Sequence, residues 1–106
     1  MVNKIIILLK KLVQCNDYNY HYKFTKWFEL ETLSIQYNNK FLDINLQSSK
    51  SSYSLKVNWE NHIPFNCNYD SISEEEYLTI KLLFSQLKDK DRQYQQDLLE
   101  EFIESI

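Results

Sequence analysis

The apolar positions of this chain repeat with two different periods. Between residues 4 and 14, Ile5, Leu8, Leu9 and Leu12 recur at helical spacing, while Lys4 and Lys11 fall off that side. Ile6, Ile7 and Val13 widen the stripe, and Asn3 stands where a helix cap is wanted. A helix over residues 4–14 is therefore expected. Three successive isoleucines also suit β structure, so a buried strand over residues 4–9 is the competing reading.

The period then changes to two. Tyr18, Tyr20, Tyr22 and Phe24 alternate with Asn19, His21, Lys23 and Thr25, which describes one face of a strand. Phe28 and Leu30, then Leu33, Ile35 and Tyr37, carry the alternation on after a one-residue slip near Thr32. Such a slip implies a bulge or a break between strands. Asn38-Asn39 suits a two-residue turn, because Asn tolerates positive φ. Leu42, Ile44 and Leu46 alternate again, residues 48–52 read as a second turn, and Tyr53, Leu55, Val57 and Trp59 give the clearest strand, with Trp59 expected in the core.

Residues 60–72 read as loop, with Pro64 disfavouring helix at Ile63. Ser73 and Glu76 have capping-box spacing and open a helix to about Lys88, with Tyr77, Ile80, Leu83, Phe84 and Leu87 on its apolar side. Asp89 or Asp91 is placed to cap a last helix, whose stripe is Tyr94, Leu98, Leu99, Phe102, Ile103 and Ile106. The expected architecture is a single α+β domain over residues 1–106. It has an N-terminal helix, an antiparallel meander of three to four strands and two C-terminal helices, packed on one sheet face.

Composition narrows the chemistry. Among 106 residues there is no Gly and no Ala, with one Pro and one Arg, while Ile, Asn, Lys, Tyr and Phe abound. That bias follows AT-rich codons, which occur in low-GC bacteria, their phages and mobile elements, and some eukaryotic parasites and organelles; a phage or mobile-element origin is the expectation taken from among these. Without Gly, the usual phosphate-binding loops, dinucleotide turns and nucleophile elbows have no backbone to use. Left-handed positions fall instead to Asn or Asp. The apolar run at residues 5–9 stops at Lys10-Lys11, too short for a signal core or a membrane span, so no membrane association and a cytoplasmic location are expected. Cys15 and Cys67 are expected as free thiols in that compartment.

Charge is unevenly spread. Residues 1–69 hold eight lysines against five acids, whereas residues 70–106 hold ten acids against four basic residues. Glu74, Glu75 and Glu76 suit a helix first turn, where acids complement the macrodipole. Glu100, Glu101 and Glu104 near a C-terminus do not. They are the candidate partner-binding acids, able to meet a basic site on a nucleic-acid-processing enzyme. Trp27 falls out of phase with the aromatic strand and is the candidate exposed anchor.

Other chemistries leave weaker traces. Tyr20 and Tyr22 beside Lys23 and Lys26 could stack and neutralise single-stranded nucleic acid, although alternation puts Lys23 opposite the rings and favours core packing for them. Cys15, His21, His62 and Cys67 are too widely spaced for paired zinc ligands, so no metal and no cofactor are expected. No nucleophile and base are brought together by any motif. The sequence thus points to a small non-enzymatic protein-binding module, an inhibitor or immunity-type factor that counters a host defence. A nucleic-acid-binding domain, a structural subunit of a larger complex, and a homodimer through an edge strand or the last helix are the other readings.

Overall fold

In the computed structural model, residues 1–17, 19–59 and 69–106 are described, with backbone alone at Trp59. The elements run α1 (Val2–Gln14), β1 (Tyr20–Trp27), β2 (Leu30–Tyr37), β3 (Lys40–Ser49), β4 (Ser52–Trp59), β5 (Asp70–Ile72) and α2 (Glu74–Glu104). The expectations for Tyr18, His62, Ile63, Pro64, Phe65 and Cys67, and for the side chain of Trp59, lie outside the described residues.

Residues 2–14 are helix, not strand. Ile5, Leu9 and Leu12 are its buried positions, while Ile6, Leu8 and Val13 pack half-buried around them and Ile7 faces out. Met1, not Asn3, occupies the N-cap, with no side-chain cap bond. The other end is closed from outside. Lys90, from the middle of α2, donates hydrogen bonds from Nζ to the Leu12 and Val13 carbonyl oxygens, both at 3.0 Å. A cation there answers the carbonyls of the last turn, of which that of Leu12 also accepts from Cys15 N–H at 3.2 Å, and the negative end of the helix dipole.

The sheet is an antiparallel meander whose spatial order follows the chain, β1-β2-β3-β4-β5. The meander has four strands, and β5 adds a fifth that sequence patterning placed in a loop. It is only three residues long, which is too short for a period to register, and it pairs Ile72 with Tyr53. The slip expected near Thr32 is a chain reversal at Phe28-Glu29, four residues earlier; Phe28 therefore leaves the strand face on which alternation had placed it. Asn38-Asn39 forms a turn as expected, and Lys50-Ser51 forms the third. Each loop has two residues and begins in the left-handed region, at φ 52° for Phe28, 55° for Asn38 and 50° for Lys50.

Register aligns one apolar rung across four strands: Phe24, Leu33, Ile44 and Val57. Leu33 and Ile44 are fully buried, as are Leu46 and Leu55 on the next rung. α1 and the first half of α2 cover this face through Leu9, Ile80 and Leu87. The opposite face carries the polar row Lys23, Ser34, Asp43 and Asn58 in register; Lys23 is exposed and the other three are half-buried.

The clearest departure is at the C-terminus, where a single 31-residue helix replaces the expected pair. Asp89 and Asp91 cap nothing, because the helix runs through them. No Gly or Pro interrupts residues 74–104, and the apolar phase carries across from Leu87 to Leu98. At 1.5 Å per residue α2 is about 46 Å long, against a longest molecular dimension of 51 Å. It therefore outruns the sheet.

Candidate interaction surface

α2 has two halves with different surroundings. Its start is fixed by the predicted capping box: Glu76 N–H donates to Ser73 Oγ at 3.1 Å, and Ser73 N–H donates to Glu76 Oε1 at 2.8 Å. Tyr77, Ile80, Leu83, Phe84 and Leu87 are buried on the sheet. Beyond Leu87 no residue of the helix is buried. Leu98, Leu99, Phe102, Ile103 and Ile106 were expected to cover the sheet; instead they are exposed, Phe102 by 66%. The reason is length: Lys90, Asp91 and Tyr94 still meet the start of β1, and the helix continues past them beyond the body.

The candidate acids lie on this projecting half. With about 100° of rotation per residue, Asp97, Glu100, Glu101 and Glu104 gather on one side of the helix. Leu98, Leu99, Phe102 and Ile103 gather on the side directly opposite, and Ile106 lies just past the helix end. The last turn contains no basic residue. Acids near a helix C-terminus oppose the macrodipole, so helix stability does not account for them. Gln93 Nε2 donates to Asp97 Oδ1 at 3.0 Å, which lies along the same side of the helix.

Trp27 is 72% exposed, as its phase predicted, and sits at the end of β1. Its neighbour Phe28, which pattern reading missed as a surface residue, is 79% exposed at the hairpin tip. The two rings pack edge to face with centroids 5.0 Å apart. Glu29 anchors the tip to β3, where Ser48 N–H donates to its carbonyl oxygen at 3.1 Å and Ser48 Oγ donates to its carboxylate at 3.0 Å. This aromatic knuckle is at the opposite end of β1 from Tyr20 and Tyr22. The clue to it was the slip in alternation, which marks the turn.

The residues of the nucleic-acid reading are not brought together. Tyr20 and Tyr22 point toward the helices and pack against the core; Tyr20 stacks on Tyr37 with centroids 4.2 Å apart. Lys23 lies on the open face, and Lys26 pairs across strands with Glu31 at the far end of β1. Burial, together with the nearby Cys15, Tyr20, Asp91 and Asp17, pushes the Tyr22 phenol up to about 12. Burial likewise raises the Asp91 carboxyl, against a smaller lowering by His21.

Cys15, Tyr20, Tyr22, Lys90 and Asp91 line a small cleft where α1, β1 and α2 meet. The Cys15 thiol is free, and its sulfur accepts from Asp17 N–H at 3.4 Å. Lys90 beside it is held on the α1 carbonyls. These groups close a junction between three elements. Among the described residues no group of three His, Cys, Asp or Glu side chains could hold a metal ion, and no helix is long and apolar enough to cross a membrane. No family model matches the chain, and no curated protein or solved structure matches it.

Proposed function

We propose that this protein is a small non-enzymatic binding module that recognises a protein partner through the acidic side of the projecting half of α2. The observation that carries this reading is the row formed by Asp97, Glu100, Glu101 and Glu104 on a helix end where negative charge is unfavourable. Four like charges standing clear of the body suit a lysine- or arginine-rich site, of the kind that nucleic-acid-processing enzymes present to phosphates. An inhibitor or immunity-type factor is the role that fits this reading, and the AT-rich composition fits a phage or mobile-element origin. The Trp27–Phe28 knuckle supplies a second, aromatic contact.

The test is a tagged pull-down from lysate of the source organism or its host, with and without nuclease, at low and high salt. The expected result is a stoichiometric protein retained after nuclease. Its affinity falls steeply with salt, and by tenfold or more in a Glu100→Gln, Glu101→Gln, Glu104→Gln variant. Recovery of nucleic acid, or a partner indifferent to salt and to the glutamines, overturns the proposal.

A further inference from the structure

We infer that the cleft between the end of the β1-β2 hairpin and the middle of α2 is a binding site for hydrogen phosphate. The site lies on the body of the molecule. It uses none of the acids of the projecting arm and does not depend on what they bind.

Two parts of the fold build it. Lys26 and Glu31 are cross-strand partners at the end of β1 and the start of β2. From α2, Lys81, Ser85 and Lys88 line the same cleft. Rotation of about 100° per residue sets these three along one side of the helix. Phe84 is buried beside them, which holds that side of the helix over the hairpin.

Three observations select the ligand. The first is charge. Three lysines against one glutamate leave two positive charges in excess, on a chain whose net charge is −3. Each ammonium offers N–H donors and no acceptor. Lys81 Nζ stands 5.7 Å from the centre of the Tyr77 ring, near the limit of a cation–π contact, and Lys26 and Lys88 are at exposed positions. The second is size. The cleft encloses about 140 Å³, close to the roughly 150 Å³ of a cavity that admits benzene. That is room for a single tetrahedral oxyanion. The third is Glu31. Its Oε2 is buried and meets no hydrogen-bond donor among the described residues. An ionised carboxylate only accepts, so Glu31 brings to the cleft acceptor capacity that the chain leaves unspent. Such a group repels an oxyanion without a hydrogen and accepts from one that carries it. Hydrogen phosphate keeps a P–OH at neutral pH, whereas sulfate has no hydroxyl. Ammoniums for the oxygens and a carboxylate for the hydroxyl therefore match hydrogen phosphate and disfavour sulfate.

The experiment is an NMR titration of the full chain with sodium phosphate and, separately, sodium sulfate, at constant ionic strength. Phosphate is expected to give saturable amide shifts confined to residues 24–26, 31–32 and 81–88. Sulfate is expected to bind about tenfold more weakly, the worth of one hydrogen bond to a charged group. Glycerol phosphate separates free phosphate from a phosphorylated metabolite. At about pH 8 its monoester dianion has lost the P–OH, and it is expected to bind as weakly as sulfate. Lys81→Gln and Lys88→Gln, both at exposed positions, are expected to weaken phosphate binding by about fivefold each, with the urea midpoint unchanged. Glu31→Gln replaces an acceptor by a group that also donates, and is expected to bring the two ions to within about twofold of each other. No saturable shift, equal affinity of the wild type for the two ions, or phosphate binding indifferent to both lysine variants overturns the inference. Glycerol phosphate bound as tightly as phosphate, or a Glu31→Gln variant that keeps the full preference, also overturns it, because the hydroxyl would then play no part. None of these variants touches the acidic row, so partner binding retained alongside any of these outcomes separates this inference from the proposed function.

Discussion

Phe28 holds a backbone conformation that bulky side chains avoid. Left-handed geometry costs a residue with a Cβ roughly 1–2 kcal/mol, and Asn carries that cost best among residues other than Gly. The next hairpin places Asn38 at the same position with nearly the same φ. Exchanging Phe28→Asn is therefore expected to stabilise the protein by about 1 kcal/mol, read as a raised urea midpoint at unchanged slope. A destabilised variant would mean that the ring contact with Trp27 outweighs the backbone strain. Tyr22 gives a second test at this scale. Its phenol is raised to about 12 chiefly by burial, whereas the unfolded phenol ionises near 10. Below pH 10 both states are protonated and stability is unaffected. Above it the unfolded state loses its proton first, so stability falls between about pH 10 and 12. Tyr22→Phe is expected to make that decline shallower in urea titrations at stepped pH, and an unchanged decline would mean that other groups cause it.

At the scale of elements, α1 depends on α2 at both its face and its end. Its buried residues face the core, and its C-terminal carbonyls are held by Lys90. Lys90→Met keeps most of the stem and removes the charge and both hydrogen bonds. The expected loss is about 1–2 kcal/mol in chemical denaturation, with faster amide exchange concentrated in α1. A neutral result would show that water satisfies those carbonyls equally well. No sequence rule reaches this contact, since it joins positions 78 residues apart. What the sequence made legible was local: the Ser73–Glu76 capping box, the alternation of β3 and β4, and the Asn38 turn. The uninterrupted length of α2 was legible in principle. Residues 88–92 alternate lysine or arginine with aspartate, and aspartate is a familiar cap, yet it also tolerates a helix interior when no Gly or Pro stands beside it.

For the whole molecule, the acids of the candidate site could be read from composition, but their setting could not. Whether Leu98 and Phe102 are core or surface depends on where the sheet ends, which is set by strand register, and the apolar spacing is the same in either case. The exposure of Trp27 agrees with its strand phase, although both faces of β1 are open at that end. The body itself is assembled from neighbours in sequence, as a meander with two-residue loops, and such local pairings close quickly. α1 is the exception. The helix it packs on comes after all five strands in the chain. At about 5–20 residues per second, Ile5, Leu9 and Leu12 wait several seconds for Leu87 and Lys90 to appear, and a 13-residue helix is marginal alone in water. The nascent chain therefore carries this apolar segment uncovered until α2 has been made, an invitation to chaperones that only the packing of α2 withdraws.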